Sequence, residues 1–161
     1  MSILNQQTIA KKITLKGVGL HTGKSVELNL LPSEPNAGII FKRTDVGKNN
    51  IIIPIYDNVV DTTFCTTLSN EHGVKVSTVE HLMGALYGLG IDNLVVEVNS
   101  QELPILDGSA KIYVDKIMSI GVKSSSTPIK LIKINKKISY EEGTKSISLD
   151  KSKVASEIDF E

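Results

Sequence analysis

The run STVEHLMGALYGLGIDNLVVEVN, residues 77–99, changes its hydrophobic period halfway along. Val79, Leu82, Met83 and Leu86 recur at i, i+3, i+4 and i+7, the spacing of one apolar stripe on a helix that packs against a sheet. Ser77 and Glu80 stand in the S-x-x-E relation of a capping box, and Gly88 and Gly90 supply the stop, so the sequence marks both ends of this helix. Residues 91–99, IDNLVVEVN, are rich in β-branched side chains and read as a buried strand.

Upstream, Ile9, Ile13 and Leu15 follow strand spacing, and Val26, Leu28 and Leu30 alternate with Ser25, Glu27 and Asn29, which predicts a sheet with one buried face. GVGLHTGK, residues 17–24, is a tight connection between two of these strands. GIIFKRTD, residues 38–45, reads as a further strand, and Pro54 within IIIPIYDNVVDTTFCTTLSN marks a sheet edge or an interruption. Downstream, the turn ELPILDG precedes a second helix expected over Ser109–Ile120, with Asp107 as its cap and Gly121 as its end.

KSSSTP, residues 123–128, has no periodic pattern and reads as a linker, which predicts a first domain over 1–124 and the start of a second over 125–161. In that second part a hairpin is expected around EEGT, and VASEIDFE reads as the beginning of another strand. A hairpin with one apolar face needs another layer to cover it, so these residues read as the opening of a truncated domain whose remainder is missing. The fold class expected is α+β.

Charge and composition narrow the function. Eighteen basic residues balance eighteen acidic ones, which leaves no positive field for nucleic acid or an anionic membrane. Apolar residues at 40% and charged residues at 22% of 161 are those of a folded globular chain. No apolar run approaches the roughly 18 residues of a membrane helix, so no transmembrane segment is expected. The opening MSILNQQTIAKK lacks the apolar core of a signal peptide and Cys65 has no cysteine to pair with, so the expected compartment is the cytoplasm.

Glu80 and His81, adjacent at a helix start, are the side chains that suggest chemistry: an imidazole can bind a metal and a carboxylate can act as a base. The same residues also admit a plain reading, in which Glu80 closes the capping box and His81 shows a polar edge at the surface. No HExxH pattern and no His or Cys pair at ligand spacing accompanies them, whereas a catalytic zinc takes three protein ligands. His21 in its glycine loop could face a site or simply be solvated. His72 reads as a turn residue, Cys65 as a small apolar filler, and Asp107 as a helix cap.

GVGLHTGK, KRTD, DTTFCTTL, STVEHLMGALYGLGIDNLVVEVN and ELPILDGSA occur in the order and at the spacing seen in the UDP-3-O-acyl-N-acetylglucosamine deacetylases of lipid A synthesis. The resemblance covers residues 5–122 and continues through the hairpin. It implies a two-layer β-α-α-β domain followed by the first strands of a second one. It also implies an amidase that uses Zn2+ to remove the N-acetyl group of UDP-3-O-acyl-N-acetylglucosamine. On the matching positions it makes His81 a zinc ligand and Glu80 the general base, sets His21 near the site, and has Phe64, Cys65 and Thr66 line the substrate pocket. The family's other zinc ligands, a histidine and an aspartate, come with its acid histidine and its acyl-chain tunnel from a second domain that includes a motif resembling HKxLDxxGD. That motif is missing from these 161 residues, so the resemblance implies one zinc ligand in this chain, no activity for the chain by itself, and a monomer when complete. The reading from another class is a noncatalytic interaction module on the same scaffold.

Overall fold

The computed structural model describes residues 4–151, and the chain divides into two compact units between Ile129 and Lys130. In the first unit, the predicted alternation builds β1 (Asn5–Ile9), β2 (Ile13–Val18) and β3 (Ser25–Pro32). β4 (Ile39–Arg43) and the two-residue β5 (Ile51–Ile52) follow, and the chain leaves the sheet at Pro54. A 3-10 turn, Tyr56–Asn58, leads into three short strands: β6 (Val59–Asp61), β7 (Thr67–Ser69) and β8 (Lys75–Ser77). Then come α1 (Glu80–Gly88), β9 (Leu94–Val98), α2 (Lys111–Ile120) and β10 (Val122–Pro128). The fold is mixed α+β, mostly sheet with two helices, as expected.

The principal sheet runs β2-β3-β9-β4-β5. β9 sits at its centre, antiparallel to β3 and parallel to β4, and the register Leu28↔Val98, Leu30↔Val96 and Phe41↔Val96 stacks apolar side chains on one face. Leu28, Leu30, Phe41, Leu94, Val96 and Val98 are fully buried there, and Leu82, Leu86, Tyr113 and Ile117 of the two helices complete the same core. The other face is polar: Lys42 Nζ meets Glu97 Oε1 at 2.9 Å. Tyr113, buried, donates its hydroxyl to Pro104 O at 3.0 Å, and burial pushes its pKa up. No helix among the described residues is long and apolar enough to cross a membrane.

Three local expectations need correction. The capping box does not form: Val79 takes the N-cap position of α1 with no side-chain cap. Ser77 is held instead in a ladder with the 101–103 segment, giving its N–H and its hydroxyl to Gln101 O and accepting Leu103 N–H, and Glu80 turns its carboxylate to Thr66. Thr78, at φ 58°, swings the chain from β8 into the helix, so Ser77 belongs to the strand. α2 begins at Lys111, two residues late, because Asp107 accepts from Ser109 and the Ser109 hydroxyl in turn accepts Lys111 N–H. Gly121, at φ 81°, ends the helix as expected.

The third correction concerns KSSSTP, which is strand and not linker. It forms most of β10, antiparallel to β1, with Gln7↔Ser124 and Ile9↔Val122 in register and Ala10 N–H bonded to Gly121 O at the turn. β10 is largely exposed, so its side chains show no apolar alternation; backbone pairing with β1 holds it, together with the Gln6 side-chain amide donating to Pro128 O at 3.1 Å. In the second unit, β11 (Ile138–Glu142) and β12 (Lys145–Leu149) form the hairpin expected around Gly143. The strand expected in VASEIDFE lies outside the described residues.

Candidate functional site

α1 begins at the corner where β8 leaves its small sheet, and Glu80 is its first residue. The Glu80 side chain is exposed, and its Oε2 accepts the backbone N–H of Thr66 at 3.1 Å. That bond ties the helix start to the loop joining β6 and β7, which carries Phe64, Cys65 and Thr66. Phe64 is 86% exposed, and Cys65 Sγ lies 3.8 Å from the Thr67 hydroxyl, a contact within its own loop. The structure therefore brings Glu80 and Thr66 together directly, while Phe64 stands free in solvent.

His81, the next residue on α1, is half-buried. Its Nδ1 is shut off from water and has no hydrogen-bond partner. A buried nitrogen without a partner calls for an explanation, because nearly all such atoms in folded proteins are paired. Ser100 Oγ is the other such atom among the described residues.

His21 lies in the β2–β3 loop with its side chain exposed and its backbone N–H bonded to Glu102 Oε1 at 2.9 Å. His72 sits in its expected turn, with its N–H on Asn70 Oδ1 and its ring 3.4 Å from Glu71. Asp107 organises the turn ahead of α2.

Two features of this corner are marked by no motif in the sequence. A shallow groove of about 220 Å3 opens beside Glu80 and Thr66, walled by Pro54, Ile55, Tyr56, Val59, Leu68 and Met83. Tyr56 is 85% exposed there, and the clue would have been IIIPIY, apolar beyond what a two-residue edge strand can bury. The second feature is Glu102, whose side chain is wholly buried and accepts hydrogen bonds from His21, Thr22 and Thr78. Burial pushes this carboxyl up, but the donors outweigh burial and hold it below the ordinary glutamate value. Nothing in ELPILDG distinguishes Glu102 from a solvated turn acid.

Among the described residues no three His, Cys, Asp or Glu side chains stand close enough to hold a metal ion. His81 fits as a single donor, through its unpartnered buried nitrogen, and these residues alone do not make a metal centre.

The family model described as UDP-3-O-acyl N-acetylglycosamine deacetylase matches residues 6–161. The chain is 45% identical over 163 residues to the UDP-3-O-acyl-N-acetylglucosamine deacetylase of Myxococcus xanthus, covering 99% of this chain and 52% of the relative. It is 44% identical over 140 residues to that of Shewanella oneidensis, covering 87% of this chain and 46% of the relative, and equally similar to that of Shewanella baltica. The chain thus spans about half the length of the curated relatives it matches. A model match over nearly all of its length, together with these identities, makes this chain a member of the UDP-3-O-acyl-N-acetylglucosamine deacetylase family.

Proposed function

We propose that this chain forms the amino-terminal part of a zinc-dependent amidase that hydrolyses the N-acetyl group of UDP-3-O-acyl-N-acetylglucosamine, giving acetate and a free amine on the way to lipid A. The observation that carries the reading is the unpartnered, buried Nδ1 of His81 in the residue next to the Glu80 carboxylate. His81 supplies one zinc ligand, and the remaining donors belong to the rest of the family's length. When bound, zinc polarises the acetamide carbonyl and makes its water more acidic.

Glu80 is the base. Thr66 N–H occupies its Oε2 and fixes its orientation, which leaves Oε1 to take the water's proton. The loop Phe64–Thr66 and the apolar groove beside it form a wall for substrate. His21 stands at the margin of the site, on a loop anchored through its backbone. With one metal donor among the described residues, the 161-residue chain alone turns over no substrate.

The experiment is amine release from the UDP-sugar by a family-length protein that carries residues 1–161 of this chain, together with measurement of its bound zinc. Glu80→Ala should lower turnover by about 10²- to 10⁴-fold, the usual worth of a positioned base. His81→Ala should lose zinc. Wild-type turnover in Glu80→Ala, with zinc content unchanged in His81→Ala, would make the corner a noncatalytic interaction surface instead.

A further inference from the structure

ELPILDG contributes a side chain that the chemistry above does not use. Glu102 has no exposed surface, and an ionised carboxylate withdrawn from water persists only where donors replace its hydration. Both of its oxygens are served: Oε1 accepts His21 N–H at 2.9 Å and the Thr78 hydroxyl at 3.1 Å, and Oε2 accepts Thr22 N–H at 2.8 Å.

The donors come from two segments distant in sequence, the β2–β3 loop that holds His21 and the turn that launches α1. Among the described residues no other side chain bonds to both. Each segment is shaped to the carboxylate. A Cβ at Gly19 would collide with it, and Thr78, a β-branched residue, is kept at φ 58°, where such residues are rarely found.

We infer that Glu102 is a positioning residue of the active site: its buried carboxylate ties the His21 loop to the Thr78 turn and so sets His21 against Glu80 and His81. This rests on the reading of Glu80 and His81 given above. An ordinary core contact would hold the fold as a whole, whereas this link holds two functional segments in mutual register. A small displacement of reacting groups is enough to slow chemistry strongly.

Two measurements test the inference. In the 161-residue chain, Glu102→Gln should speed amide hydrogen exchange at His21 and Thr22 by about tenfold, with Val96 in the central strand unaltered. Equal acceleration at all three amides, or at none, overturns it. In the family-length protein, at a temperature where circular dichroism shows both forms folded, Glu102→Gln should lower kcat by about tenfold with KM within about twofold of wild type.

Should Glu102→Gln fail to fold, Thr78→Val removes only the hydroxyl donor and should lower kcat severalfold, while Thr78→Ser restores it; wild-type kcat in Thr78→Val overturns the inference. Glu80→Ala run in parallel separates the two claims. If Glu80→Ala abolishes turnover while the Glu102 and Thr78 variants keep it, the positioning role alone falls. If Glu80→Ala also keeps turnover, both fall.

Discussion

The centre of the principal sheet and the corner where α1 begins are held together by different forces. Around β9, order comes from apolar side chains closed off from water on one face, with Leu94, Val96 and Val98 all fully buried. At the corner, order comes from polar bonds: Thr66 N–H to Glu80, and His21, Thr22 and Thr78 to Glu102. Apolar burial is non-directional and tolerates adjustment, whereas hydrogen bonds to a buried carboxylate fix positions. A site that needs a defined geometry is built from the second kind of interaction and stands on the first.

The most severe challenge to that division is a cavity in the sheet. Leu94→Ala should cost about 2–5 kcal/mol, because the lost burial is compounded by a void that a central strand cannot close. Glu102→Gln should cost less, about 1–3 kcal/mol, since Gln keeps the shape and loses part of the acceptor capacity. Denaturant melts of the two variants measure both. A Glu102→Gln penalty equal to or above that of Leu94→Ala would mean that the corner supports the fold and not only the site.

The same division explains what the sequence made legible. β2, β3, β9 and the α1 stripe could be read from residues 13–98 because one-sided burial prints a period of two or of 3.6 on the side chains. β10 printed nothing, since backbone pairing with β1 constrains none of its exposed side chains. The capping box misled because Ser77 had two possible partners, the helix N–H groups and the 101–103 segment. That segment lies some two dozen residues away in the chain, beyond the reach of a local pattern.

The corner divided likewise. Glu80 and His81 stood out through their motif and their place at a helix start, but the plain reading could not be dismissed from residues alone. Glu102 was invisible and the Tyr56 groove left only the apolar excess of IIIPIY, because the meaning of both depends on partners that only the fold brings near.

A pH titration sharpens the comparison at intermediate magnitude. The Glu102 carboxyl lies below the ordinary value of 4.5 when folded, so the unfolded chain binds its proton more readily. Its contribution to stability is then complete above pH 4.5 and is lost as pH falls through the lower folded value. Asp45 and Asp61 are lowered too, Asp45 by its bond from Arg43 and Asp61 by that from Thr63, so the wild-type slope is a sum. Glu102→Gln should flatten the fall in unfolding free energy as pH drops below 4.5 without removing it. Identical slopes in the two proteins would show that Glu102 is no better served by donors in the fold than in the unfolded chain.

The smallest effect is expected on the polar face of the same sheet whose apolar face gives the largest. Lys42 and Glu97 meet at 2.9 Å across the β4–β9 pair, yet both keep access to solvent, with side-chain exposures of 41% and 22%. Attraction in that setting is largely offset by hydration and by the entropy of holding two long side chains, so Glu97→Gln should cost about 0.2–1 kcal/mol. The loss should shrink as salt is raised. A much larger, salt-independent penalty would show that charge pairing on the outer face helps set the β4–β9 register. Apolar packing would then no longer be what holds the sheet, and the contrast with the corner would close from the sheet's side.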